Sequence, residues 1–402
     1  MKGPIMLVRT GKIEGMKNSG PLYEWSEGTA YLVIDQVSYE GVKGAILCYC
    51  NPPVHQVGNP ALDAYIEGLN KVYEGKDALK FLLLYGANDP VHAGGDLKES
   101  LEKLDRTLAM KTEKEKRQTP PQEIDQLYDW ADNRLRKGVS LHGIVRKIAQ
   151  HLRVVAVCGG GTRFGGSAEV PLMADYLVGD SRSGMCFSEV MIGLLPGWSG
   201  VARAIVKSGP VNAQYMALTG REVKADKLKM CGLYNAVVEI PLAFPKMQKT
   251  MDPKADKALY AEALDKHDEE TGMRLLPKGL EMAICPEHEV PALRHPPQLF
   301  SEAEIAREVD RRKNPQNYSH LWGKTLKEAG EDIARAGRPL APQSVDALRR
   351  LFESIDSASF DEFAFVKREM EADAKLYRDK KFRAGLVATL EQKVADYREV
   401  PS

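Results

Sequence analysis

One stretch, Val154 to Gly200, constrains the fold more than any other part of the 402-residue chain. It begins with an apolar, β-branched run at residues 154–158, which predicts a buried strand. Two glycine clusters follow between residues 159 and 166, and then a run that suits a helix, with Glu169 near its start. A second acid, Glu189, comes later in the stretch. The chain therefore brings a glycine-built helix N-terminus and two glutamates on separate elements into one short unit.

This arrangement suggests a particular chemistry. Glycines ahead of a helix let a ligand approach the backbone closely, and the N–H groups of the first turn stabilise negative charge. When such donors face a carbonyl oxygen that becomes an enolate, they form an oxyanion hole, and removing one donor costs about 3–4 kcal/mol. Two carboxylates beside one water can share general acid and base work. The alternative interpretation is that Glu169 caps a helix and Glu189 lies solvated in a loop.

An ordered set of motifs resembles those of the enoyl-CoA hydratase (crotonase) superfamily, over residues of about 25–240 and 340–395. The matching pieces are His92-Ala93-Gly94-Gly95-Asp96-Leu97-Lys98, Gly165-Gly166-Ser167-Ala168-Glu169, Ala174-Asp175, Phe187-Ser188-Glu189 through Leu195-Pro196-Gly197, Ala217-Leu218-Thr219-Gly220, Ala225, Gly232-Leu233 and Phe382-Arg383-Ala384-Gly385-Leu386. The last piece departs from the family pattern, because Ala384 stands where an acid is usual. The order of the pieces is more specific than any one of them.

By position, the resemblance implies that the backbone N–H groups of Gly95 and Gly166 form the oxyanion hole and that Glu169 and Glu189 are the catalytic acids. In the family pattern Glu189 protonates C2 of the substrate, while Glu169 orients and deprotonates the water. The resemblance also implies substrate-binding positions, which are His92, Ala93, Asp96, Leu97, Pro196, Gly197 and Trp198. Two of these have other interpretations, since Asp96 is a candidate helix cap and His92 a candidate hydrogen-bonded loop histidine.

The presence of both acids favours an acyl-CoA hydro-lyase that adds water to a 2-enoyl-CoA. The sequence departs from the family pattern at Ser167, Ser188 and Trp198-Ser199. The tryptophan beside the Pro-Gly turn puts a plain straight-chain substrate in question and leaves a bulky or cyclic acyl group open. One alternative is a ring-opening C–C hydrolase of a cyclic β-oxoacyl-CoA. Another is a crotonase-like protein that binds acyl-CoA without catalysis. The expected reaction needs no metal or redox cofactor, and coenzyme A enters only as part of the substrate.

The resemblance implies an α/β fold, a crotonase-type spiral of ββα units with a helical C-terminal region. We expect a core over residues 1–240 with a helical insert at about 100–150, a helical and loop extension over 241–340, and C-terminal helices over 341–402. Relatives use such C-terminal helices for assembly, so the resemblance implies a homo-trimer or a dimer of trimers. Tyr128 and Trp130 of the insert are candidates to line the site or to pack in the core.

The composition limits the classes of partner that we expect. The 56 basic and 56 acidic side chains balance, so nothing points to nucleic acid or to an anionic membrane as partner. The six cysteines show no CxxC spacing, and the apolar run near the start, Pro4 to Val8, is too short for a secretory signal or a membrane span. We therefore expect reduced thiols and a cytoplasmic protein. His288 and His295 lack the spacing of metal ligands, so we expect no metal site.

The glycine clusters do not match three other glycine-containing motifs. A dinucleotide-binding fingerprint beginning at Gly159 would need glycine where Phe164 stands. A phosphate-binding loop ending at Gly166 would need lysine at the next position, which is Ser167. A nucleophile-elbow motif around Ser167 would need glycine where Glu169 stands, so no motif supports Ser167 as a nucleophile.

Overall fold

The structure is a computed structural model that describes residues 4–247, 253–286, 296–356 and 359–398. The strands are β1 (Met16–Glu27), β2 (Ala30–Tyr39), β3 (Val42–Cys50), β4 (Phe81–Gly86), β5 (Val91–His92), β6 (Arg153–Cys158), β7 (Thr162–Phe164), β8 (Tyr176–Asp180), β9 (Gly184–Cys186), β10 (Val223–Lys224) and β11 (Ala236–Val238). The helices are α1 (Pro4–Arg9), α2 (Asn59–Glu74), α3 (Leu97–Lys116), α4 (Pro121–Asp125), α5 (Asp129–Ile148), α6 (Gly166–Leu172), α7 (Gly200–Ser208), α8 (Pro210–Thr219), α9 (Ala225–Met230), α10 (Pro253–Ile284), α11 (Glu302–Lys313), α12 (Gly330–Ala336), α13 (Pro342–Glu353), α14 (Glu362–Leu376) and α15 (Lys380–Leu390).

The chain folds as two compact units, each assembled from three stretches of sequence. The sheet unit comprises Met1–Gly94, Ser140–Met185 and Val223–Pro297. The helical unit comprises Gly95–Val139, Cys186–Glu222 and Gln298–Ser402. The division that the sequence suggests, with boundaries near residues 240 and 340, stays a prediction.

A seven-stranded sheet in the order β1-β2-β3-β4-β6-β8-β11 forms the centre of the sheet unit. β1, β2 and β3 pair antiparallel, and every later neighbour pairs parallel. The parallel strands β4 and β6 are almost continuously apolar and buried, as expected for strands covered on both faces. Leu275, Leu276 and Leu280 of α10 pack into the same core as Ile46 and Val155.

A second, four-stranded sheet in the order β10-β9-β7-β5 carries short strands. Its parallel pair β5 and β7 sets Val91 opposite Thr162 and His92 opposite Arg163. Each of these strands is followed by a glycine-containing loop. The ladder therefore fixes where both loops begin.

The helical unit contains residues 100–139 of the predicted insert, and residues 140–150 belong to the sheet unit. α3 ends at Lys116, α4 begins at Pro121 after Thr119-Pro120, and α5 follows. Tyr128 is buried beneath the guanidinium of Arg378, and Trp130 packs edge-on against Tyr377. These two aromatics therefore pack among the helices of this unit, as expected if they belong to its core.

The α/β prediction and the helical C-terminal region are confirmed. The predicted strand at 154–158 and the predicted helix after the glycine clusters correspond to β6 and α6. The N-terminal region forms three strands, and α13, α14 and α15 lie within the region predicted to hold C-terminal helices. No helix among the described residues is both long and apolar enough to span a membrane.

Candidate functional site

In the sheet unit, two loops meet at the ends of β5 and β7. A methyl group placed on Gly94 would lie 2.8 Å from the carbonyl oxygen of Phe164 and 3.1 Å from the amide nitrogen of Gly166. Contacts this close leave no room for a side chain at Gly94. The hydroxyl of Ser167 donates to the carbonyl of Ala93, so a side chain also ties the loops together. The structure thus brings His92, Ala93 and Gly166 into one neighbourhood.

Glu169 lies on α6, which begins directly after that neighbourhood. Gly165 precedes the helix with φ of +52°, a conformation that glycine adopts at little cost, and its carbonyl accepts from the amide of Glu169 at 3.1 Å. The side chain of Glu169 is only 2% exposed. A glutamate this buried is uncommon, because a charged carboxylate loses its hydration there.

In the helical unit, Gly95 begins the turn into α3. Asp96 is the N-cap of this helix, and its carboxylate accepts from the amides of Lys98 and Glu99 at 3.0 Å. The capping interpretation of Asp96 is therefore confirmed, and Leu97 is the first residue of the helix. A methyl group on Gly95 would lie 2.4 Å from a guanidinium nitrogen of Arg134, a buried arginine of α5.

Glu189 lies on a single 3₁₀ turn, Ser188–Met191, and is 8% exposed. Its carbonyl accepts from the amides of Ile192 and Leu194 at 2.9 and 3.0 Å, which closes the turn. Gly193 has φ of +95°, and a methyl group there would lie 2.7 Å from Cα of Phe382. The sharp bend after Glu189 therefore requires glycine.

Two carboxylates of α14 hold the segment that follows. Asp373 accepts from the amide of Leu195 at 2.9 Å, and Glu369 accepts from the amides of Val201 and Ala202 at 2.9 and 3.2 Å. Both acids are almost completely buried. Pro196 and Gly197 are buried between these anchor points.

Trp198 is buried in the helical unit. The guanidinium of Arg134 lies 5.2 Å from the centre of its ring, and a methyl group on Gly138 would lie 2.1 Å from the ring. Arg134 thus contacts both Gly95 and Trp198, two positions that the sequence implicates in substrate binding. The sequence predictions did not include Arg134, although an arginine one turn before Gly138 in a helix is visible in the printed sequence.

A cavity of about 70 Å³ lies within the sheet unit beside β5 and β7. His55, His92, Arg163 and Ser167 contribute to its wall. Burial, and then the positive charge of Arg163, hold the pKa of His92 well below its usual range, so this imidazole is neutral. His55 and Arg163 are further residues that the sequence predictions missed.

The cysteines and histidines that the structure describes give no sign of a metal centre. Within the described ranges, no group of three His, Cys, Asp or Glu side chains is placed to hold a metal ion. His288 and His295 lie outside the described residues. Cys48, Cys50 and Cys186 are buried, and burial raises the pKa of each thiol, as expected for thiols of a protein core.

Comparisons with known proteins agree with this architecture. Residues 140–251 match the family model described as enoyl-CoA hydratase/isomerase. The fatty acid oxidation complex subunit alpha of Idiomarina loihiensis is 35% identical over 138 residues, which are 32% of this chain and 19% of that protein. The short-chain-enoyl-CoA hydratase of Clostridioides difficile is 29% identical over 97 residues, which are 24% of this chain and 62% of that protein. The chain therefore spans less than two thirds of the length of these curated relatives.

Two solved structures share the fold over most of their length. An enoyl-CoA hydratase from Rhodobacter sphaeroides 2.4.1 superposes with a TM-score of 0.51 and 16% identity over 86% of each chain. A carnitinyl-CoA dehydratase from Mycobacterium thermoresistibile superposes with a TM-score of 0.52 and 14% identity over 91% of each chain. Residues 140–251 are therefore similar to the enoyl-CoA hydratase/isomerase family, and the chain shares the fold of these two solved structures.

Proposed function

We propose that the protein adds water across the C2–C3 double bond of a 2-enoyl-CoA. The observation that carries this proposal is the burial of two glutamates at the family's two acidic positions, with Glu169 2% and Glu189 8% exposed. Burying a carboxylate costs free energy unless the group is paired or hydrogen-bonded, so a glutamate buried at each of these positions serves a structural or a catalytic role. Both acids are present, and within this superfamily that pattern favours addition or elimination of water.

In the proposed reaction the thioester oxygen accepts hydrogen bonds from the amides of Gly95 and Gly166. Glu169 takes a proton from the water as the water oxygen bonds to C3. The electron pair of the C2–C3 double bond then moves onto the thioester, which becomes an enolate. Glu189 then delivers a proton to C2. General acid–base catalysis of this kind contributes about 10²–10⁴-fold to the rate. The proposal requires no metal or redox cofactor, and coenzyme A is part of the substrate.

The other predicted positions take supporting roles in this proposal. Asp96 fixes the turn that follows Gly95 by capping α3. Pro196, Gly197 and Trp198 shape the loop after Glu189, and His92 and Ala93 set the loop before Gly95. Leu97 adds an apolar contact for the acyl group. We also propose that the chain assembles as a homo-trimer or a dimer of trimers, which sedimentation equilibrium will test.

Incubation with linear and cyclic enoyl-CoAs and with cyclic β-oxoacyl-CoAs in ¹⁸O-labelled water tests the reaction. The expected product carries one labelled oxygen at C3 and keeps its carbon skeleton. A labelled carboxylate with an opened ring would instead identify the C–C hydrolase. Binding of every thioester without any change in mass would identify a non-catalytic acyl-CoA-binding protein, and either result would overturn the proposal.

A further inference from the structure

The first glycine cluster, residues 159–161, has no part in the proposed reaction, but the segment between β4 and β5 packs directly on it. A methyl group on Gly160 would overlap the carbonyl oxygen of Asp89. One on Gly161 would overlap the carbonyl oxygen of Pro90. The amide of Gly161 also donates to the carbonyl of Asp89 at 2.9 Å. The cluster is therefore glycine because another stretch of main chain fills the space of its side chains.

The two segments run side by side from this cluster towards the proposed oxyanion donors. β5 pairs with β7 in parallel, and beyond this pair Gly94 lies against Phe164 and Gly166. Main chain thus contacts main chain from Asp89 to Gly94. Because a closely packed interior transmits strain, the position of the first residues of the segment affects the position of the last.

Asn88 stands at the start of this segment and is completely buried. Its main-chain amide and its side-chain amide both donate to Oδ1 of Asp268 at 2.6 Å. The same side-chain nitrogen donates to the carbonyl of Asp268 at 3.2 Å and to the hydroxyl of Tyr85 at 2.9 Å. One carboxyl group therefore holds both the main chain and the side chain of Asn88.

Asp268 belongs to α10, a helix to which the sequence predictions gave no function. Gly272 and Leu275 follow it on the same face of the helix. A methyl group on Gly272 would overlap the hydroxyl of Tyr85. The side chain of Leu275 lies 2.9 Å from the place that a methyl group on Gly159 would take. This face of α10 therefore contacts both the end of β4 and the first glycine cluster.

We propose that Asp268 is a positioning residue for the oxyanion hole. By holding Asn88, it fixes the loop that leads to Gly95 against the glycine-containing loop that ends at Gly166. This role rests on the proposed function, because the alignment of the loops affects hydration only if those two glycine amides bind the thioester oxygen. It goes beyond that function by giving α10 a part in the reaction.

Steady-state kinetics on a 2-enoyl-CoA tests this role. Asp268→Leu replaces the carboxyl oxygens by methyl groups and removes the acceptor. We expect kcat to fall about 10- to 100-fold and KM to change less than about threefold, because a displaced oxyanion donor weakens binding of the transition state most. Asp268→Asn is expected to recover most of the lost kcat, since its amide oxygen accepts in place of Oδ1. Equal losses in the two variants would overturn the proposal.

Leu280→Ala is the matched control for a loss of stability. Leu280 lies on the same helix and is completely buried in the core of the sheet unit. Its truncation leaves a cavity and lowers the midpoint of thermal unfolding, but kcat should stay within about threefold of wild type. A loss of kcat as large as that of Asp268→Leu would mean that stability alone explains the effect, which would overturn the proposal.

Asn88→Ala is the second test, for the case in which Asp268→Leu does not fold. It removes the side-chain hydrogen bonds to Asp268 and keeps the main-chain one. We expect kcat to fall about tenfold, since a small misplacement of reacting groups costs rate. An unchanged kcat in Asn88→Ala would overturn the proposal.

Hydrogen–deuterium exchange followed by mass spectrometry tests the positioning without turnover. In Asp268→Leu, or in Asn88→Ala, we expect amides of residues 88–94 and 159–166 to exchange about tenfold faster, while those of β1 and β2 keep their rates. Leu280→Ala should not show this selective change, and unchanged exchange of both segments in the test variant would overturn the proposal. Selective exchange in a chain that hydrates no enoyl-CoA would support the placing of the loops by Asp268 and count against hydration, so the two failures are distinguishable.

Discussion

Glu169 and Glu189 are both buried, but the protein positions the segments around them in different ways. Near Glu169, in the sheet unit, main chain contacts main chain: β5 pairs with β7, and Gly94 lies against Phe164 and Gly166. Near Glu189, in the helical unit, buried carboxylates of α14 accept from an amide of the following loop and from two amides of the first turn of α7. The first arrangement depends on residues that have no side chain, and the second on charged side chains from a distant part of the sequence.

Removing a carboxylate of α14 should have the largest effect on folding. In Glu369→Ala, the amides of Val201 and Ala202 lose their acceptor while they stay buried. We expect a loss of about 2–5 kcal/mol in the free energy of unfolding, measured by urea denaturation. The control is Glu371→Ala, an exposed residue of the same helix, which should change stability by less than about 0.5 kcal/mol. Equal effects of the two substitutions would contradict the role given to Glu369.

The sheet unit also contains buried carboxylates, and one of them, Asp268, accepts hydrogen bonds from a distant segment, which limits the comparison. Asp268 of α10 accepts from the backbone amide and the side-chain amide of Asn88, both at 2.6 Å. Burial, and then repulsion from Asp89, raise the pKa of Asp268 to about 7. Because this pKa is higher in the folded than in the unfolded chain, the group's stabilising contribution is fully present below about pH 4 and is lost as pH rises through 7.

The Asp268→Asn variant should remove this pH dependence. Between pH 5 and pH 8 we expect the wild type to lose about 2–3 kcal/mol relative to the variant, since each pKa unit corresponds to about 1.4 kcal/mol. Urea denaturation at several pH values gives both free energies. Glu270→Gln, at an exposed position of the same helix, is the control and should follow the wild type. Parallel curves for wild type and Asp268→Asn would show that Asp268 does not titrate in this range.

A smaller effect should come from the backbone contact in the sheet unit. In Gly94→Ala the new methyl group meets backbone atoms, which cannot rotate away, and we expect a loss of about 1–3 kcal/mol. Gly143→Ala is the control, since no atom lies within 4 Å of its added methyl group, and alanine in a helix should stabilise by up to about 1 kcal/mol. If Gly94→Ala behaves like Gly143→Ala, close backbone packing does not hold these loops.

The same contrast explains what the sequence could predict. The run 154–158, the glycines before Glu169 and the cap at Asp96 are local patterns, and the structure has β6, α6 and the N-cap of α3 there. Glu369 and Asp373 lie 168 and 178 residues beyond the amides that they accept from, so no local pattern links them.

Arg163 could be predicted only in part. An arginine between two glycine clusters is visible in the sequence, but its position opposite His92 depends on the register between β5 and β7. The two-residue strand β5 that provides this register is too short to give a periodic signal.

The central claim is that Glu169 and Glu189 act together on one water, and a double-mutant cycle on kcat tests it most directly. Glu169→Gln and Glu189→Gln should each lower kcat by about 10²–10⁴-fold while acyl-CoA binding is retained. The effects of substituting groups that act as a unit are not additive. The kcat of the double variant should therefore be no more than about tenfold below that of the less active single variant. Glu353→Gln, at an exposed position, should keep full activity. Full activity in either single variant, or losses that multiply in the double variant, would contradict a shared role.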